Sequence, residues 1–329
     1  MSARKIWSNN QWVEIDALTI NGIETIANAS EAIDPAKLYF VAAGASPGGL
    51  INIRINGKLG SGIWFGGSEL WTPPVLAVGG VEADILVAGT PYRVHMFTEN
   101  LDFEVLATTL EVEYLLVGGG GAGGTGSYAS YRRGGGGGGA GGILQDTMLF
   151  TTGIYPVNIG QGGQPGTGAA SSRTGSDTTL NGLIAYGGGG GGGAGGTAGA
   201  NGGSGGGASA QSGSVAASVG VSLSGQGNNG GSGGFGNFER PGGGGGSDVS
   251  AGLSWGQGTA GGASLVTDFW GGSVSVAKGG NAANGIDGIG ADATGGAGSG
   301  GNAGGASGNV GQSGSAGLPG IVGVRYPLA

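Results

Sequence analysis

From Gly118 onward the chain is broken again and again by runs of glycine, at 118–124, 134–142, 187–196, 199–207, 230–236, 242–246 and 295–305. Such runs have no side chains with which to build a core. Glycine also loses more backbone entropy on folding than any other residue. A fold made from these runs must be held by the backbone groups themselves, each of which needs a partner once buried. Short strand-like pieces separate the runs: GILQDTMLF, GIYPVNIG, TTLNGLIAYG, SVAASVGVSL, ASLVTDFWGG, SVSVAKGG and the closing GIVGVRYP. A flexible linker would not carry such inserts. Glycine does not hold every third position, which excludes collagen. The Gly-Gly-x-Gly-x-Asp repeat of calcium-binding β-rolls is absent as well.

The geometry left for the tracts is polyglycine II, a left-handed helix with three residues per turn and no internal hydrogen bonds. Glycine keeps its N–H and has no Cβ, so neighbouring helices can approach closely and bond laterally in several directions. The inserts would then supply a β framework and exposed loops. Asp177, Asp248, Asp287 and Asp292 stand alone and read as turn residues rather than ligands.

Residues 1–117 are a different material. They hold 12 of the 89 glycines and 13 acidic against 6 basic residues, whereas 118–329 carries 7 acidic and 6 basic. The first segment reads as all-β. ARKIWSNNQWVEI predicts a hairpin turning at Ser8-Asn9-Asn10-Gln11, with Trp7 and Trp12 packed across it. Asn56-Gly57 predicts a second turn. VEADILVAG and TPYRVHMFT predict two strands. In LDFEVLATTLEVEYLLV the alternation turns Leu110, Val112 and Tyr114 inward and Glu111 and Glu113 outward. EAIDPAKL alone suggests a helical turn. The expected fold is mainly β: a sandwich-like module over 1–112, then a glycine-rich domain over 113–329 with short strands and packed polyglycine II helices.

Composition excludes several functions. A net charge of −8 disfavours nucleic acid as a partner. With no cysteine and one histidine, thiolate and His-cluster metal sites are ruled out. No apolar run is long enough to span a membrane, and MSARKIWSNN has no apolar signal region. His95, on an alternating strand without a nucleophile motif, reads as structural. The Gly-x-Gly-x-x-Gly matches in the tracts lack the following helix that a nucleotide fingerprint needs. The expectation is a protein without enzyme activity and without a cofactor.

EYLLVGGGGAGG (113–124), RRGGGGGGAGGILQ (132–145), IYPVNIGQGGQPG (154–166), GSDTTLNGLIAYGGGGGGG (175–193) and GIVGVRYP (320–327) follow in order. Together they resemble the glycine-rich domain of tailed-bacteriophage fibre and tail-tip proteins. The composition is also similar to polyglycine-sandwich adhesins of T-even-like phages, with a weaker match of local motifs. The resemblance implies a virion protein made in the bacterial cytoplasm, a homo-oligomer such as the trimers common in fibres, that contacts a surface glycan or outer-membrane protein of the host. The N-terminal module would attach to other virion proteins. The alternative is a head-fibre or capsid-decorating protein with the glycine-rich domain as a spacer.

Rings and cations set among glycines have few bulky neighbours to bury them, and such residues are enriched at binding hot spots. They are Tyr128, Tyr131, Arg132 and Arg133, Phe235 and Phe238, Trp255, and Phe269 with Trp270. The aromatic residues either contact the receptor, cap the ends of the glycine bundle or line a subunit interface. The two arginines either meet anionic surface groups or are simply solvated.

Overall fold

The computed structural model describes short backbone ladders between Arg4 and Trp71, and residues 75–328 apart from 129–131, 167–172, 194, 210–218, 235–244, 248–249, 254–259, 284–292 and 308–309. Two compact units result, Met1–Pro74 and Val75–Leu328. The second begins well before the 112/113 boundary expected for the glycine-rich domain, and its sheet recruits strands from the less glycine-rich segment. EAIDPAKL lies outside the described residues.

In the first unit, β1 (Arg4–Ser8) pairs with β2 (Gln11–Ile15), with Ser8 opposite Gln11 and Trp7 opposite Trp12. β3 (Arg54–Ile55) pairs with β4 (Lys58–Leu59) around Asn56-Gly57. β5 (Ile63–Phe65) pairs with β6 (Ser68–Trp71). The first two of these ladders flank the first two predicted turns.

The second unit is organised by one eight-stranded antiparallel sheet in the order β15-β14-β13-β10-β20-β9-β8, with β7 also on β10. Its members are β7 (Ala77–Val78), β8 (Val81–Val87), β9 (Thr90–Phe97), β10 (Leu101–Val117), β13 (Ile143–Asn158), β14 (Thr178–Leu180), β15 (Leu183–Ala185) and β20 (Ile321–Pro327). Two-residue turns join β8 to β9 at Ala88-Gly89 and β14 to β15 at Asn181-Gly182, all four with positive φ. That backbone matches the twist of a tight hairpin. The long β10/β13 ladder shifts register between Val105 and Thr109, and residues from both sides of the shift, Phe103 and Val105 with Val112 and Leu116, meet in one core.

Both faces of β20 are covered. Val322, Val324 and Tyr326 point into that core with Phe97, Phe103 and Phe150. Ile321 points the other way, into a second cluster with Leu115, Val117, Val276 and Phe269. The cover on that side is the hairpin of β16 (Leu265–Thr267) and β17 (Val274–Val276). The predicted alternation in β10 thus holds for Leu110, Val112 and Tyr114, while Leu115 and Val117 are buried from the opposite side.

The glycine tracts make lateral hydrogen bonds with a period of three. In 118–126, the N–H groups of Gly118, Gly121 and Gly124 donate to the carbonyls of Gly142, Gly139 and Gly136. Those of Gly119 and Ala122 donate to Ser176 and Arg173, and those of Gly120, Gly123 and Gly126 to Leu318, Ser315 and Gln312, all at 2.8–3.0 Å. The carbonyls of the same tract accept from Gly188 and Gly191, from Gly301 and Gly304, and from Gly163. Six neighbouring segments therefore surround this tract. Tract 134–142 bonds in the same way to 298–304, 186–192, 204–207, 280–283, Gly246 and 118–124. A Cβ on Gly121 would fall on the carbonyl oxygen of Gly189, and one on Gly138 on that of Gly121, so glycine is needed for closeness of approach.

Sheet and bundle are continuous. Tract 118–126 extends β10, 134–142 leads into β13, 312–320 leads into β20, and 187–192 leaves β15. At the junction the buried hydroxyl of Thr178 donates to Val117 O at 2.8 Å and accepts from Gly160 N at 2.9 Å. Gln226 joins Tyr186 N and Ile184 O, at 2.9 and 2.8 Å. Asp177 Oδ1 accepts from Gly187 N at 2.8 Å, which makes this aspartate an anchor at the foot of a tract.

Candidate functional site

The direction of the tracts gives the bundle a foot on the sheet and a far end. Leaving β10 at Val117, the chain runs out along 118–126, turns, and returns along 134–142 to β13. The turn is a hairpin of β11 (Ser127–Tyr128) and β12 (Arg132–Arg133), with Ser127 opposite Arg133 and Tyr128 opposite Arg132. A second far-end hairpin, β18 (Ala306–Ser307) with β19 (Val310–Gly311), stands beside it, since Gly126 N donates to Gln312 O at 2.9 Å. Thr125 Oγ1 donates to Gly166 O at 3.1 Å, which brings a third outgoing segment to the same end. Leu253 N and Ala260 O, flanking 254–259, bond to each other at 3.0 Å.

Of the residues singled out in the sequence, this end holds Tyr128, Arg132 and Arg133. Arg133 is half-buried and its Nε is buried without a hydrogen-bond partner. Tyr131, Phe235, Phe238 and Trp255 lie outside the described residues.

Phe269 and Trp270 belong elsewhere. They form the turn of the β16–β17 hairpin over β20, and Phe269 is 1% exposed. The expectation that a ring beside glycines stays at the surface fails for Phe269, because a distant glycine makes room for it. A Cβ on Gly323 would stand 2.7 Å from Phe269 Cε1 and 3.0 Å from Trp270 Nε1. The Trp270 ring packs edge-on to Phe269 with centroids 5.5 Å apart.

Next to Gly323 on the same face lies Arg325, whose place in the closing motif is now explained. Its Nε and Nη2 donate to Glu113 Oε2 at 2.8 and 2.6 Å, and its Nη1 donates to Phe269 O at 3.1 Å. The guanidinium lies 4.5 Å from the Phe269 ring centroid and 5.4 Å from that of Tyr92. Tyr92 completes the group by donating to Glu113 Oε1 at 3.2 Å. Burial and the neighbouring carboxylate push the Tyr92 hydroxyl pKa up. Glu113 is therefore tied into the cover of the sheet, although alternation alone turns it outward. Spacing within one strand could not reveal this, as the partner lies more than two hundred residues away.

His95 is fully buried on the opposite face. Its Nδ1–H donates to Gly79 O at 2.8 Å, which leaves Nε2 to accept from the Tyr326 hydroxyl at 3.2 Å. Burial lowers its pKa, and the same burial pushes Tyr326 up to about 12. Among the described residues no group of three His, Asp or Glu side chains comes together to hold a metal, and no helix is long and apolar enough to cross a membrane.

The family model for a glycine-rich domain matches residues 97–327, from the last residue of β9 to the last of β20. No curated protein matches the sequence.

Proposed function

The chain belongs to the glycine-rich domain family, and from that premise we propose that it is a non-enzymatic virion protein of a tailed bacteriophage, carried at a fibre or tail tip to contact the host cell surface. In this reading the tracts are a polyglycine II bundle, as the three-residue bonding period and six-fold surroundings of 118–126 suggest. The bundle is a stiff mount whose interior accepts almost no side chains. Large and charged side chains are admitted at its far end. The observation that carries the reading is the position of Tyr128, Arg132 and Arg133 on the Ser127–Arg133 hairpin there. Tyr131, Phe235, Phe238 and Trp255 join them as candidates by sequence alone. The N-terminal module attaches the protein to other virion proteins. Several copies on one particle convert weak single contacts into durable adsorption.

The test is saturable binding of the labelled full chain to intact host cells, beside a Tyr128→Ala/Tyr131→Ala/Trp255→Ala variant that melts at the same temperature. Loss of binding in the variant supports an adhesin whose contact surface is the far end. Absence of binding by the folded parent overturns the reading and leaves the capsid-decorating or spacer role.

A further inference from the structure

Asn-Gly occurs six times in the chain, and three of these pairs, Asn181-Gly182, Asn201-Gly202 and Asn229-Gly230, lie among the described residues. A glycine after asparagine leaves its backbone nitrogen open to the asparagine side chain, so each pair is a candidate for intramolecular attack. The fold treats them differently. Asn201 Oδ1 accepts from Val221 N at 2.9 Å while Gly202 N donates to Val221 O at 3.2 Å. Asn229 Oδ1 accepts from Ser222 N at 2.9 Å while Gly230 N donates to Gly220 O at 3.0 Å. Both reacting groups of these two pairs are held, and Gly202 and Gly230 are buried. Asn181 and Gly182 are both exposed, at the tip of the β14–β15 hairpin. A Cβ on Gly182 would meet nothing within 4 Å. The Gly182 N–H has no partner among the described residues. The Asn181 side chain is held there only through Nδ2, which donates to the weak acceptor Met148 Sδ at 3.4 Å.

From this we infer that Asn181 is a site of spontaneous deamidation, and that its conversion loosens the foot of the bundle. The Gly182 nitrogen, after losing its proton to hydroxide, attacks Cγ of Asn181. The N–Cγ bond forms, the Cγ–Nδ2 bond breaks, and the amide nitrogen takes up a proton and leaves as ammonia. Water then opens the resulting five-membered imide. Cleavage of the new N–Cγ bond gives aspartate, and cleavage at the Asn181 main-chain carbonyl gives isoaspartate. A tight turn with φ 46 and 80 restrains the attack, so the hairpin opens first. Few bonds oppose that opening. β15 stands at the edge of its sheet, held beyond β14 by Gln226 on Ile184 O, and β14 is laddered to β13 at Val157 and Asn158 alone. Short peripheral ladders of this kind open locally at small free-energy cost. Isoaspartate sends the main chain through the former side chain and lengthens it by one carbon. A two-residue turn that sets Leu180 opposite Leu183 does not admit the extra atom. Asp177 and Thr178, which anchor Gly187, Val117 and Gly160, lead directly into this hairpin.

The test holds the full chain at mildly alkaline pH and follows the amide-to-acid mass gain of the peptides that carry Asn181, Asn201 and Asn229. Isoaspartate is read with protein isoaspartate methyltransferase, and a urea-unfolded sample is incubated alongside. The expected result is conversion at Asn181 about tenfold or more faster than at Asn201 or Asn229 in the folded chain, with the three rates converging once the chain is unfolded. Conversion at Asn181 that is no faster than at the other two in the folded chain overturns the site. The consequence is read on aged protein as hydrogen exchange at Thr178–Ala185. Exchange there should quicken with the isoaspartate fraction in the parent and stay unchanged in an Asn181→Gly variant, which suits the positive φ and has no carboxamide to cyclise. Aged parent and variant that exchange alike would show that the modification leaves the foot intact, and would overturn that half of the inference.

Discussion

At the residue scale, the absence of a Cβ does different work at different glycines. Gly121 sits where a methyl group would fall on backbone of the next tract, whereas a Cβ on Gly272 meets nothing within 4 Å and its φ is not positive. Gly121→Ala is therefore expected to cost roughly 3 kcal/mol or more, because a neighbouring backbone must move and its bonds with it. Gly272→Ala should be close to neutral. Urea midpoints of the two variants test the contrast, and equal midpoints would refute close backbone approach. Ala88 is the opposite case, a side chain at φ 49 in a tight turn. Asparagine tolerates that conformation better, so Ala88→Asn should raise the melting temperature, by about 1 kcal/mol in stability. His95 adds a pH dependence. Its folded pKa is lowered by burial, so its contribution is complete above the unfolded value of about 6.5 and is lost as pH falls below it. Stability should drop between pH 7.5 and 5. His95→Gln, though weaker at pH 7.5, should lose less over that interval. A parent midpoint that does not change with pH would show that the imidazole is not held neutral.

At the element scale, β20 shows what alternation reveals and what it hides. Its run of Ile321, Val322, Gly323, Val324, Arg325 and Tyr326 reads as the strand that closes the glycine-rich domain, and turn chemistry points to the ladders on either side of Asn9-Asn10 and Asn56-Gly57, whereas TTLNGLIAYG reads as one strand-like piece and turns at Asn181-Gly182. The partner of Arg325 is not legible, nor is the seat that Gly323 leaves for Phe269, since both depend on contacts between strands far apart in sequence. Phe269 is buried where its glycine neighbours suggest exposure, because glycines beside a ring say nothing about a strand folded over it. Tyr128, Arg132 and Arg133 were singled out by their setting among glycines, and the return of tract 118–126 through 134–142 brings them to one end. Two variants probe the joints. Arg325→Met leaves Glu113 Oε2 and the Phe269 carbonyl without the arginine's donors, with Tyr92 still on Oε1, and should cost about 2–3 kcal/mol. A Glu113→Gln background should reduce that loss, which a double-mutant cycle would read. Thr178→Val keeps the shape but deprives Val117 O and Gly160 N of partners in a buried site, and should cost about 2 kcal/mol. A loss much smaller than this would mean that the tracts are not anchored through the threonine.

At the scale of the glycine-rich unit, the sheet and the bundle are stabilised by different means yet share strands. The sheet buries phenylalanines, valines and leucines in two clusters, whereas the bundle buries chiefly glycine backbone. Apolar surface raises the heat capacity on unfolding and polar surface lowers it, with a net of about 12–15 cal/mol/K per residue in ordinary domains. A unit with so much of its interior made of peptide groups should fall clearly below that range, and its melting enthalpy should vary less with temperature. Because β10, β13 and β20 run directly into tracts, the bundle has no separate boundary at which to melt. Calorimetry should therefore give one transition for Val75–Leu328 within the full chain, and amides of Gly118–Gly126 should exchange with deuterium as slowly as those of Tyr114–Val117. Fast exchange in the tract beside slow exchange in the strand would mean that the lateral bonds open independently and that the far end rides on a loose mount. Equal protection would mean that the turns are held by the sheet through the bundle, as the proposed role in host contact requires.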